Sequence, residues 1–328
     1  MKKLFNSMIL LLFAMLLWQC GADSSQFSAE MTRELSRLPD QNGNTGLAYI
    51  NVKMLRESDF YDMVNDSINA HLGHQRDFQE FLSQTGFDFR NDVDEIYAVF
   101  DPGNRRFDHS ALLVAIGNFQ PEKITGYINQ KAPEGKLVSE SYGDFRLLRP
   151  EGGENVFCFA NESHAVFGTE NRVKAWLDKL DSGENAGIDS NLRERLSEIK
   201  FKNGMWVTVN AEKMVDKLMD QIPDTPDKRY FQPLQSVEQV FFSAKVDDAI
   251  RVDGAGLFSD AKNAGLFRDA LKGALAAFKL SLSYDREAVD IVNKVNIETY
   301  KRKIRVNVEV TKREIEKMIR RHQGLAVR

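Results

Sequence analysis

The chain has 328 residues, 42% of them apolar and 28% charged, with a formal net charge of -4. That balance excludes a disordered polyelectrolyte and offers no basic excess for gripping nucleic acid. The apolar content, with 22 Phe, is enough for two domains or one large one.

The first element lies at the very start. Met1-Lys2-Lys3 is followed by an apolar run from Leu4 to Trp18, broken only by Asn6 and Ser7, then by Gln19-Cys20-Gly21 and a polar stretch. A positive start, a short apolar core and a polar exit are the parts of a secretory signal. With Leu17 three positions before Cys20, the layout resembles that of bacterial lipoproteins. The resemblance is confined to the first 25 or so residues. It implies a signal peptide over 1–19, lipidation of Cys20 and a tether over 20–40. The alternative is an uncleaved anchor, but its core, Met8–Trp18, falls short of the ~20 residues a bilayer span needs. The expectation is a protein of the cell envelope, lipid-anchored to a bacterial membrane at the outer membrane or the periplasmic face. Its expected partners are the membrane, through the lipid on Cys20, and another envelope protein, with no nucleic acid.

Past the tether, strand and helix signals recur in order. Gly46–Val52 reads as a strand running into a helix. Val93–Phe100 and Ala111–Ile116 read as strands joined through the turn residues Asp101-Pro102-Gly103-Asn104. A helix follows over Pro121–Gln130, then a strand at Ala165–Phe167. A helix with Val173, Trp176, Leu177 and Leu180 on one face comes next. The polar stretch Asp181–Gly187 marks a boundary, and Asn191–Phe201 forms a connecting helix with Leu192, Leu196 and Ile199 inward.

The series then repeats. Gly204–Asn210 matches the first strand, and Val237–Ala244 and Arg251–Leu257, joined at Asp247-Asp248, match the next pair. A helix over Ala264–Phe278, a strand at Ile304–Val310 and a helix carrying Ile315 and Met318 complete it. Thr311 and Glu314 form a capping box at the start of that last helix. The pattern predicts an α+β fold of two tandem similar modules, 41–185 and 186–328. Each is expected to be an antiparallel sheet with helices packed on one face. The body also resembles uncharacterised bacterial envelope lipoproteins in which a start like Leu38-Pro39-Asp40 leads into a strand like Ala48–Val52. That resemblance brings no catalytic residues with it.

Chemistry-bearing motifs are sparse. There is no nucleophile elbow, phosphate loop or dinucleotide fingerprint. His71 and His74 have a spacing that can place two ligands on one helical face, but nothing completes a metal site. Asp220, Asp224 and Asp227 fail the calcium-loop pattern because Pro223 and Pro226 interrupt it. Cys158, flanked by Phe157 and Phe159, reads as a buried, inert thiol. No catalytic residue, metal or cofactor is therefore assigned. The one charge anomaly is the C-terminal end, where nine Lys or Arg and three Glu fall between Lys301 and Arg321. Lys301, Arg302, Lys303 and Arg305 are the candidates for contact with an anionic surface; the plainer role is protection of a sheet edge. The leading functional reading is a non-enzymatic binding or scaffold module of the envelope. The alternative is an envelope hydrolase whose site is assembled from scattered loop residues.

Overall fold

The computed structural model describes residues 27–39, 45–63, 65, 76–102, 111–133, 136–183, 187–221 and 233–317. Cys20 and its signal, residues 20–26 of the tether, the loop holding Asp224 and Asp227, and His71, His74, His109 and His322 lie outside the described residues. The rest of the expected tether is not a free linker: Ala29–Arg37 is a helix whose Met31 and Leu35 are buried in the core.

Twelve strands form one antiparallel sheet. In chain order they are β1 (Gly46–Asn51), β2 (Val93–Phe100), β3 (Leu112–Gly117), β4 (Leu137–Tyr142), β5 (Phe145–Pro150) and β6 (Asn155–Asn161). Then come β7 (His164–Thr169), β8 (Met205–Asn210), β9 (Val237–Val246), β10 (Ala249–Phe258), β11 (Asn296–Tyr300) and β12 (Lys303–Thr311). Across the sheet they run β11-β12-β10-β9-β8-β1-β2-β3-β7-β6-β5-β4. Antiparallel pairing follows from the hairpins, because a short turn can join only strands of opposite direction.

The two series of strands therefore do not build separate sheets. They meet at β1 and β8, which pair with Leu47 opposite Thr208, Ala48 opposite Val207, Tyr49 opposite Trp206 and Ile50 opposite Met205. Outward from this seam the order is β1-β2-β3-β7 on one side and β8-β9-β10-β12 on the other. At the seam, the ring of Tyr49 lies 4.9 Å from that of Tyr97 and 5.7 Å from that of Trp206.

Helices cover both faces of the sheet, not one. On the first face lie α1 (Ala29–Arg37), α6 (Glu170–Asp181) and α7 (Ser190–Ser197). Their apolar residues, among them Leu35, Trp176 and Leu196, join Tyr49, Val166, Trp206 and Phe241 in one core. The other face carries two separate cores. Near β7 the core is Val93, Phe119 and Ala165, with Phe87 and Phe159 packed against it. It is bordered by α2 (Val52–Arg56), α3 (Arg76–Thr85), α4 (Phe89–Asp92) and α5 (Pro121–Lys131). Near β12 the core is Val215, Met219, Phe258, Ala264 and Ile304, built with α8 (Glu212–Gln221) and α9 (Ala261–Ser281). The physical reason is in the strands themselves. Val166 and Ala165 are neighbours on β7 and both are buried. Successive side chains on a strand point to opposite faces, so each face demands a cover. A further helix, α10 (Arg286–Asn293), lies between α9 and β11 in sequence.

Candidate functional site

The site with the clearest chemical character lies at the β12 end of the second face. It is built by α9. Asp260 caps this helix, its Oδ1 accepting the N–H of Asn263 at 2.8 Å. Ala and Leu favour the helix throughout. A single stripe, Ala264, Phe267, Leu271 and then Phe278, runs along it at helical spacing. The first three pack on the sheet. Beyond Leu271 most of the helix is exposed, and Phe278 near its far end lines a cavity of about 460 Å3.

The floor of the cavity is the cross-strand pair Ile250 and Val310. One wall is α10, through Ala288, Ile291 and Val292; Ile315 closes another, and Phe278, Leu282 and Tyr284 form the roof and mouth. Tyr284 is 77% exposed and Phe278 53%, so apolar surface continues out of the cavity. The only ionisable group of acidic or basic type on the lining is Asp285. It is buried, and its Oδ1 accepts the N–H of Ala288 at 3.2 Å as the N-cap of α10. Its role is structural. Ile315 is held by a second cap, since the Glu314 carboxylate accepts the Thr311 N–H at 2.9 Å and reaches Lys294 at 2.6 Å.

Among its described lining residues this arrangement is suited to binding. A cavity of a few hundred Å3 lined by aliphatic and aromatic groups takes an apolar ligand. Elsewhere, the grouping nearest to a catalytic one is Ser163, His164 and Glu34. Ser163 Oγ lies 2.9 Å from His164 Nδ1, and His164 Nε2 lies 3.6 Å from Glu34 Oε2. Ser163 also bonds the Oδ1 of Asn161 at 2.9 Å, within the β6–β7 turn. Glu34 is buried on α1 and is also paired with Arg37 at 2.6 Å. The group pins α1 to the hairpin. Cys158 is fully buried and its thiol is pushed up to about 11 by burial, as an inert thiol should be. Among the described residues, no group of three or more His, Cys, Asp or Glu is placed to hold a metal ion.

The four basic candidates are divided between β12, which carries Lys303 and Arg305, and the β11–β12 turn, which carries Lys301 and Arg302. Lys303 and Arg305 point to the first face, where Lys303 Nζ lies 2.6 Å from a Glu198 carboxylate oxygen. Arg305 reaches Glu198 at 3.6 Å and Asp253 at 3.3 Å. These two fasten the strand to the end of α7. Arg302 bonds Glu238 at 2.8 Å. Lys301 sits in the β11–β12 turn with φ of 51°, its ammonium 5.5 Å from the Tyr300 ring. Lys301 and Arg302 are exposed in this turn, beside the exposed Tyr300.

Of the cavity residues only Ile315 stood out in the sequence, as a core position of the last helix; the Ile, Val, Ala and Leu of the rest look like any core. The available signal was α9 itself, a 21-residue helix most of whose second half is exposed.

No protein-family model matches the chain, and no curated protein matches it. Among solved structures, TP0453 in its crystal form III aligns over 90% of this chain and 99% of its own, with a TM-score of 0.50 at 9% identity. Crystal form I of the same protein aligns over 88% of this chain and 96% of its own, with a TM-score of 0.44 at 10% identity. At such identity the likeness is one of fold. Among the described residues, no helix is long and apolar enough to cross a membrane.

Proposed function

We propose that this is a non-enzymatic lipoprotein of the bacterial cell envelope that holds one apolar chain, of fatty-acyl type, in the cavity between α9, α10 and β12. The observation that carries the reading is the lining. Its floor, walls and roof are aliphatic or aromatic, and the one carboxylate on it is occupied as a helix cap. Each methylene transferred from water into such a lining contributes about 0.8 kcal/mol. A partly buried acyl chain therefore gains enough to offset the cost of immobilising it. The location rests on the sequence, through the signal-like start and Cys20, and not on the fold.

The test is displacement of a fluorescent fatty-acyl probe from the full chain in a nonionic detergent. Ala288→Trp places an indole in the cavity and should weaken probe binding at least tenfold. Arg286→Gln, on the exposed side of the same helix, should leave it unchanged. Equal binding by the Ala288→Trp protein would remove the cavity from the function. The anchor is tested separately. Cys20→Ser should abolish metabolic labelling with a radioactive fatty acid, and labelling that persisted would end the lipoprotein reading.

A further inference from the structure

A second concavity lies on the opposite face of the sheet, where the start of α1, the whole of α7 and the segment leading into β8 converge. It has a volume of about 590 Å3. Its chemistry differs from that of the apolar cavity. Arg193 and Lys202 line it together with the side chains of Thr32 and Ser197, against apolar walls of Phe27 and Leu196; among the described lining residues there is no carboxylate. Arg193 and Ser197 sit on the exposed rim of α7, one turn apart, while Lys202 lies deep, with 9% of its surface exposed. The Lys202 ammonium stands 5.5 Å from the Phe27 ring, and burial lowers its pKa. Arg193 donates one long bond, of 3.5 Å, to the Ile188 carbonyl.

We infer that this cleft binds the anionic headgroup of a membrane phospholipid. The two cations take the phosphate: Arg193 from the rim with its planar fork, and Lys202 from below as a point charge. Thr32 supplies a hydroxyl, whereas the Ser197 hydroxyl is already donated to the Glu194 carbonyl at 2.6 Å. Phe27, Ile188 and Leu196 receive the glycerol and the first methylenes of the chains. The size is within the range of small-ligand sites. The source follows from the chain. Phe27 is the first described residue, and six residues separate it from Cys20. An extended chain spans at most ~3.6 Å per residue, so a lipid on Cys20 holds this cleft within about 25 Å of the bilayer. The choice of a membrane source rests on the anchor proposed above; the cleft's affinity for a phosphate-bearing amphiphile does not.

The experiment is isothermal titration calorimetry of the full chain in nonionic detergent. The three titrants are a short-chain phosphatidylglycerol, the matching phosphatidylcholine and inorganic phosphate. Phosphatidylglycerol should bind, with phosphatidylcholine and phosphate at least tenfold weaker. Arg193→Gln, at an exposed position, should lower the phosphatidylglycerol affinity about tenfold, and Lys202→Met, which keeps the buried stem, should do the same. Unchanged affinity in the Arg193→Gln protein would overturn the assignment, as would no binding at all. Phosphate binding as tightly as the lipid would show a free-anion site and overturn the headgroup. The Ala288→Trp protein keeps its phosphatidylglycerol affinity if the cleft is separate, so failure of the apolar cavity and failure of the cleft read out differently.

Discussion

Glu314 caps the helix that follows β12 by turning back on Thr311, accepting from its N–H at 2.9 Å and its hydroxyl at 2.8 Å. Lys294, brought from the end of α10, bonds the same carboxylate at 2.7 Å. One side chain thus joins the two elements that carry Ile315 and Ile291 to the apolar cavity.

That pairing sets a pH dependence. The hydrogen bond from Lys294 and those from Thr311 hold the Glu314 carboxyl down at about 2, below its ordinary 4.5. A depressed carboxyl stabilises the fold above its unfolded pKa and loses that contribution as pH falls through the folded value. Glu314→Gln should cost about 1 kcal/mol at neutral pH, the usual size of a lost cap. Urea denaturation should show the gap to the parent protein closing as pH drops from about 4.5 towards about 2. A gap that widened with acid would contradict the geometry.

Trp176 is fully buried on α6, and its indole N–H meets no hydrogen-bond partner among the described residues. Truncation to Ala should cost about 3–5 kcal/mol through the cavity it leaves. Trp176→Phe should cost much less, because it also removes an unpaired buried donor. Denaturation midpoints of the two variants separate packing from polarity, and equal losses would show that packing is not the main term.

The basic residue paired on β12 and the one in the turn before it predict different outcomes. Arg305→Gln leaves Asp253, 3% exposed, without its cationic partner. Stability should fall by about 1–3 kcal/mol, the cost of an unsatisfied buried group. Replacing Lys301 with Gln should change stability by less than about 0.5 kcal/mol, as for other exposed positions. If Lys301 meets an anionic surface, co-sedimentation with anionic vesicles should drop at low salt and be indifferent at high salt. No loss of vesicle binding would assign the turn to edge protection.

Cys158 should resist alkylation. With its thiol held up to about 11 by burial, iodoacetamide at neutral pH should label it only after denaturation. Labelling of the native protein at the rate of the unfolded chain would show that β6 opens readily.

Much of the sheet could be read from the chain because its strands carry turn residues at their ends and β-branched or aromatic residues inside. β1, β2, β3, β8, β9 and β10 all meet that description. The sequence also marked the helices carrying Trp176 and Ile315. The strands β4 and β5 escaped notice. They lie at one margin of the sheet, and β4 is half-exposed along its length, so its alternation is weak. α1 was missed because its buried face includes the charged Glu34. The joining of both strand series into one sheet was not visible either, since pairing of Tyr49 with Trp206 depends on residues 157 positions apart. The apolar cavity and the basic cleft are hidden for the same reason. Ile250 meets Val310 and Phe27 meets Lys202 only once the sheet has formed.

The Phe27 ring packs edge-on against Trp206, at 6.1 Å. The first described residue is therefore seated on β8, in the middle of the sheet. Because β8 pairs with β1 on one side and β9 on the other, the N-terminal end of the body rests where the two strand series meet, and not on an outer module.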